Sequence, residues 1–335
     1  MPAYNLALIG FGNVGRAFAR LLIAKESELR RSYDVRWRLT GVASRRVGWV
    51  ADRTGLNPLA ILNGHWPPPD PNPPRNVREW LERAGADVLF EASSLDPHTG
   101  QPAIDHLKAA LELGAHAITA NKGPIVHAFA ELTVLARKCG RKFLYESTVM
   151  DGVPIFSLFP LGLPAVELRG FRGVLNSTTN VVLTEMEKGH TLEDAVKRAQ
   201  ALGIAETDPS FDIDGWDAAV KVTALVIVLM GVPLRLDQVQ RTGIRELTPE
   251  RVRTARDSGM RYKLVCRAER HGAGVDASVQ PVLLHGSDLL AGLEGASTAI
   301  HFDMDVFRLS LVEHNPGIEA TAYGLLADFL RAVRA

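Results

Sequence analysis

Hydrophobic and polar positions change their period part-way along the chain, and that change divides it. Up to about residue 150, short apolar runs alternate with stretches of helical period. Asn5–Ile9, Val35–Ala43, Asp87–Glu91, His116–Thr119 and Lys142–Leu144 read as short strands. Val14–Ala24, Asn76–Arg83, Gln101–Leu113 and Ile125–Lys138 read as helices, with Gly114 placed to close the third. Strands alternating with helices of this length predict a parallel, doubly wound sheet. His65–Pro74, HWPPPDPNPP, is too rich in proline for helix or sheet and reads as a surface loop of this domain.

Beyond Gly152-Val153-Pro154 the pattern differs. Helices are expected at Thr178–Lys188, Leu192–Leu202 and Trp216–Met230. Tyr262–Ala268, Val275–Val282 and Phe307–Val312 alternate as strands of a more antiparallel sheet. Gly317–Val333 is an amphipathic helix, expected to return and pack on the first domain.

Composition narrows the class. The 335 residues are 46% hydrophobic and 23% charged, ordinary for two or three globular domains. Thirty-eight basic residues balance 38 acidic ones, so no net field favours nucleic acid or an anionic membrane. The longest apolar run, Val222–Val232, is too short to span a bilayer and suits a buried helix. The N-terminus, MPAYNLALIG, has no basic region or cleavage site before its strand. Cys139 and Cys266 lie far apart and read as free thiols of a reducing cytoplasm.

Gly10-Phe11-Gly12-Asn13-Val14-Gly15 follows the first strand and opens the first helix. Such a loop binds a dinucleotide: Gly10 permits the turn, Gly12 admits the pyrophosphate, and Gly15 lets helix and strand pack closely. The helix N-terminus adds free N–H groups. The expected fold is thus α/β, a Rossmann-type sheet over 1–150 with 316–335 packed back on it, plus an α+β domain over 151–315. Ser44-Arg45-Arg46 ends the second strand where an NAD site would place an acid; arginines there suit a 2′-phosphate and favour NADP, though NAD stays open. A solvated basic turn is the competing reading. Ser93, Ser94 and, in Thr119-Ala120-Asn121-Lys122-Gly123-Pro124, Lys122 follow later strands at the sheet edge where ligands bind. The serines read equally as a local turn; Lys122 reads either as a solvated loop lysine or, favoured by this edge, as pointing into the cleft between domains.

Glu146-Ser147-Thr148-Val149-Met150-Asp151-Gly152-Val153-Pro154 forms the crossover, and by itself reads as a rigid hinge more readily than as a cation site. Gly203–Met230 carries Glu206, Asp208, Asp212, Asp214 and Asp217, then Lys221 at the mouth of the apolar helix. Asp217 and Lys221 are spaced i,i+4 on one helical face. One reading makes Asp214 the N-cap and Asp217 part of a capping box. The other makes Lys221 a sheltered general acid, since a buried ammonium is costly unless paired or used.

Together these motifs resemble homoserine dehydrogenase, in the family's order over nearly the whole chain. GFGNVG resembles the nucleotide loop, TANKGP the lysine motif, ESTVMDGVP the crossover, NSTTN the substrate turn and GIAETDPSFDIDGWDAAVK the catalytic segment. The resemblance implies reversible NAD(P)H-dependent reduction of L-aspartate 4-semialdehyde to L-homoserine, in threonine, methionine and isoleucine biosynthesis. It implies a short form, with no regulatory domain, and a second domain that binds substrate and forms a homodimer. Lys221 then gives the proton to the aldehyde oxygen, and Lys122 assists there or positions the nicotinamide. Glu206, Asp217, Asp212, Asn176 and Thr178 hold the substrate. Glu146, Val149, Asp151 and Val153 align with a sodium or potassium site built mainly from carbonyls. Asp151 stands where many members have a small residue, and Ser177 replaces a glycine. An acylating semialdehyde dehydrogenase would need a cysteine nucleophile beside a base, for which neither cysteine has a signature. A nucleotide-binding sensor without turnover is the remaining alternative.

Overall fold

A computed structural model describes residues 3–334. It has two compact units: one runs to Phe156 and takes back the chain from Gly317, and the other is Ser157–Pro316. In the first unit, β1 (Ala3–Ile9), α1 (Asn13–Ser32), β2 (Arg36–Ser44), β3 (Gly48–Ala51), α2 (Pro58–Leu62) and α3 (Val77–Ala84) come first. They are followed by β4 (Val88–Glu91), α4 (Ala103–Glu112), β5 (His116–Thr119), α5 (Gly123–Lys138) and β6 (Phe143–Leu144). A single 3-10 turn spans Glu146–Thr148, and α6 (Ile155–Gly162) begins in the first unit and continues into the second.

The first sheet has the order β3-β2-β1-β4-β5-β6, parallel throughout except for β3, which pairs antiparallel with β2. β1 is apolar on both faces because both are covered. Phe18 and Leu22 of α1 pack on one side of it, and Trp80 and Leu81 of α3 with Ala110 of α4 on the other. Three differences from the sequence reading have physical causes. α1 continues to Ser32 because its last two turns are exposed and polar, which hides the helical period. β3 is a four-residue edge strand, too short to alternate visibly. α2 lasts five residues, with the Asn57 side chain accepting from the Ala60 N–H and Pro58 starting the helix.

The second unit contains β7 (Leu168–Val174), α7 (Ser177–Glu187), α8 (Leu192–Ala201), α9 (Ser210–Ile213) and α10 (Trp216–Leu225). After these come β8 (Gln240–Arg241), α11 (Pro249–Asp257), β9 (Met260–His271), β10 (Gly274–His285), β11 (Thr298–Met304) and β12 (Arg308–Glu313). The sheet order is β12-β11-β7-β9-β10-β8, antiparallel apart from the short β10–β8 pairing. β7 escapes a sequence reading because Gly170 and Gly173 interrupt its pattern. A Cβ at Gly173 would come within 2.6 Å of the Ala299 carbonyl, so the neighbouring strand demands glycine. α10 ends at Leu225, where the expected helix widens into a π turn over Val226–Met230.

The last helix, α12 (Ile318–Val333), belongs to the first unit and packs along α1. Leu325, Leu326 and Phe329 enter the core under β1 and β4, and the Phe329 and Phe90 rings lie 5.9 Å apart. Among the described residues no helix is long and apolar enough to cross a membrane.

Candidate active site

The chain leaves β1 through Gly10, whose φ of +91° only glycine adopts easily. A Cβ there would overlap the Ala92 carbonyl. One at Gly15 would sit 2.5 Å from the Gly10 carbonyl, so strand and helix pack too closely for any side chain. Gly12 differs: a Cβ on it would meet nothing within 4 Å. Neither side-chain capping nor an acid occupies the first turn of α1, so its N–H groups face that open space. A side chain at Gly12 therefore meets no neighbour in the fold, and its glycine fits a bulky anion brought close to the backbone. Asn13 is exposed and Val14 half-buried beside it, whereas Phe11 turns inward, edge-on to Trp66 of the proline-rich loop.

Arg45 and Arg46 are exposed on the turn between β2 and β3, beside the half-buried Ser44. Arg45 Nη2 lies 3.5 Å from Ser94 Oγ, so the turns after β2 and β4 adjoin. Ser93 donates its hydroxyl to the Glu91 carboxylate. Glu91 is fully buried at the end of β4 and also accepts from Thr119 Oγ1 at 3.0 Å. Asn121 donates to the Ser93 carbonyl at 3.2 Å and accepts from the Gly123 N–H at 2.9 Å. Glu91 and Asn121 thus set the shape of this edge, and sequence reasoning assigned neither a role. The available signal was an acid ending an otherwise apolar strand. Lys122 follows directly, half-buried at the start of α5.

In the second unit, five of the expected residues meet: Asn176, Thr178, Asp212, Asp217 and Lys221. Asn176 precedes α7 and caps it, accepting from the Thr179 N–H at 2.8 Å. Its amide donates to Asp212 at 2.6 Å and to Asp217 at 2.9 Å, which spends both amide hydrogens on two carboxylates. Lys221 Nζ is 3.3 Å from Asp217 and donates to the Leu175 carbonyl at 2.6 Å. The Lys221 and Asp217 side chains are only 15% and 13% exposed, so the pair is sheltered as predicted. Burial, and then the neighbouring Asp217 charge, hold the Asp212 carboxyl above the usual range, against hydrogen bonds from Asn176 and Thr178. Thr178 is buried at the first turn of α7, and its hydroxyl also reaches the Ile204 carbonyl at 3.3 Å.

The capping expectation is corrected. Gly215, with φ +81°, precedes α10 without any side-chain cap. Asp214 instead pairs with Arg245 at 2.8 Å, and Arg241 donates to its carbonyl. A left-handed glycine closes the short α9 and opens α10 with no room for an Asx cap between them. Glu206 is exposed on the 203–209 turn: its carbonyl accepts from the Gln200 amide at 3.0 Å, but its carboxylate makes no hydrogen bond or ion pair among the described residues, so it does not join the cluster. Asp208 caps its own turn at the Ser210 N–H. Ser177 donates to the Ala296 carbonyl at 2.8 Å, which ties the substrate turn to the loop before β11.

The crossover residues face α12. One Glu146 oxygen accepts from the Phe156 N–H at 2.6 Å, the other from Arg331 at 2.9 Å. Asp151 has φ +45° and accepts from the Thr321 hydroxyl. Val149 is buried, and the Val153 carbonyl accepts from the Ile155 N–H at 2.8 Å. Both Glu146 oxygens and one Asp151 oxygen are thus engaged by protein groups, so main-chain carbonyls and the second Asp151 oxygen are the donors that fit a cation here. No group of three or more His, Cys, Asp or Glu suited to a metal occurs among the described residues. Cys266 is buried within β9, where desolvation pushes its thiol up to about 12, which disqualifies it as a nucleophile. Cys139 is a free, half-buried thiol at the end of α5.

Comparison with known proteins identifies the family. Residues 10–146 match the family described as "Homoserine dehydrogenase, NAD binding domain", and residues 154–330 match "Homoserine dehydrogenase". The NAD(+)-dependent homoserine dehydrogenase of Pseudomonas canavaninivorans is 36% identical, over 98% of this chain and 96% of its own. The homoserine dehydrogenase of Sulfurisphaera tokodaii is 33% identical, over 97% of both. A crystal structure of a putative homoserine dehydrogenase from Archaeoglobus fulgidus superposes with a TM-score of 0.86 at 30% identity, covering 99% of each chain. A hyperthermophilic archaeal homoserine dehydrogenase mutant in complex with NADPH gives 0.82 at 29% identity, covering 99% of this chain and 98% of that one. The chain belongs to the homoserine dehydrogenase family.

Proposed function

We propose that this chain catalyses reversible reduction of L-aspartate 4-semialdehyde to L-homoserine, with Lys221 as proton donor. The cluster of Asn176, Asp212, Asp217 and Lys221 carries the reading. A bound dihydronicotinamide supplies the hydride. As the aldehyde oxygen gains charge, the Lys221 ammonium donates its proton, being held by Asp217 and the Leu175 carbonyl. Asp217 and Asp212 present carboxylates to the substrate's amino and hydroxyl groups, with Asn176 and Thr178 fixing their direction. Glu206, exposed here, contributes by folding onto substrate. Lys122, at the sheet edge, serves the same oxygen or the nicotinamide. Gly10 to Gly15 cradle the pyrophosphate, with Ser93 and Ser94 beside the ribose.

NADP is the preferred cofactor, supported by Arg45 and Arg46 at the end of β2 and the absence there of an acid. Carbonyls of 146–153 hold a monovalent cation. The protein is a cytoplasmic homodimer formed through the second unit. Support comes from the free thiols and from the edge strand β12, next to exposed Val306 and Phe307 and bearing exposed Val312.

Steady-state absorbance at the nicotinamide band tests this with both cofactors, with and without potassium. The expected result is oxidation of NADPH by aspartate semialdehyde, faster than that of NADH, and reduction of NADP by homoserine. Nucleotide binding without turnover in either direction would contradict it.

A further inference from the structure

The crossover 146–153 is fastened to α12 at several points, none of which the reaction scheme above uses. The Asp328 carboxylate, fully buried, accepts from the Glu146 N–H at 2.7 Å, and Arg331 bridges Asp328 and Glu146 at 3.0 and 2.9 Å. Ser147 Oγ donates to the Thr321 carbonyl at 2.8 Å, and the Thr321 hydroxyl donates to Asp151. Backbones also interlock: a Cβ at Gly152 would come within 2.6 Å of the Ala320 carbonyl, and one at Gly324 would overlap Ser147 Oγ. Asp151 holds a left-handed conformation, uncommon outside glycine and easier for Asp than for most residues, so a bond that fixes its side chain adds security. The Thr321 hydroxyl is that security.

We propose that Thr321, with Asp151, latches the crossover to the C-terminal helix, making both positioning residues for hydride transfer. The 3-10 turn at Glu146–Thr148 packs on β5, the strand that delivers Lys122 to the sheet edge. A crossover that drifts therefore moves the support of that edge, and small misplacements of reacting groups are expensive. The proposal rests on the dehydrogenase reading above. It differs from a cation-ligand role for Asp151, because it assigns one carboxylate oxygen to α12.

The test compares Thr321→Val with Thr321→Ser and Asp151→Gly. Amide hydrogen exchange over 147–152 should quicken about tenfold in Thr321→Val, and kcat/KM for the semialdehyde should fall about tenfold. The NADPH Kd should stay within about twofold, since the glycine loop is untouched. Thr321→Ser, which keeps the hydroxyl, should restore both quantities. Asp151→Gly, which removes strain together with carboxylate, should quicken exchange without lowering thermal stability. Unchanged exchange or unchanged kcat/KM in Thr321→Val overturns the latch, as does a parallel loss of NADPH affinity. A wild-type enzyme without turnover would instead overturn the dehydrogenase reading, leaving the exchange result to judge the latch.

Discussion

The glycine loop and the acidic stretch, to which the proposed function assigns the two halves of the chemistry, yield to sequence reasoning in different ways. In the loop, backbone geometry is the message. Gly10 and Gly15 exist because neighbouring backbone leaves no space for a side chain, and both follow from the strand–turn–helix context. In the acidic stretch, five carboxylates look alike on paper. Their roles depend on partners tens of residues away: Asn176 for Asp212 and Asp217, Arg245 for Asp214, none among the described residues for Glu206. Local spacing settles a backbone turn, the Asp208 turn and the Asp217–Lys221 pair, but not the distant partners of Asp212 and Asp214.

Two glycines of one loop give the sharpest contrast. Gly10→Ala places a methyl against the Ala92 carbonyl at a φ suited to glycine, and should cost about 3 kcal/mol or abolish folding. Gly12→Ala meets only open space, so its melting temperature should stay within about 1 °C of wild type while the NADPH Kd rises about tenfold or more. Differential scanning fluorimetry with and without NADPH separates the two. Equal destabilisation would show that Gly12 serves the fold rather than the phosphate.

The acidic stretch offers a pair of smaller contrasts. Asp212 keeps its proton in the folded protein to higher pH than in the unfolded chain, so its charged form costs stability above that range and nothing well below it. Asp212→Asn should therefore raise the melting temperature more at pH 7 than at pH 4, while lowering activity. A gain that does not depend on pH would remove burial of charge as the cause. Asp214→Ala should cost under about 1 kcal/mol in urea unfolding, because it breaks one partly exposed pair with Arg245 and no helix cap. A larger loss would restore Asp214 as a structural element of α10.

Legibility in the sequence follows the same division. β1, β4 and β5 were readable because buried parallel strands are short apolar runs, and α12 because its stripe repeats at helical period. β7 was not, since its two glycines answer to strands β9 and β11 far along the chain. At the site, Asp217 and Lys221 were readable as an i,i+4 pair. The link from Asn176 to Asp212 and Asp217 was not, because only the fold brings the start of α7 against α9 and α10. Glu91 went unassigned for a related reason: its donors, Ser93 and Thr119, come from two different strand ends.

Lys221 is where the account is most exposed. Single-turnover oxidation of NADPH by aspartate semialdehyde, followed by stopped flow at saturating cofactor, compares wild type with Lys221→Ala. The expected hydride-transfer rate of Lys221→Ala is lower by about 10²–10⁴-fold, with an NADPH Kd within about twofold. A rate within about threefold of wild type, or a matching loss of NADPH affinity, would contradict Lys221 as the proton donor.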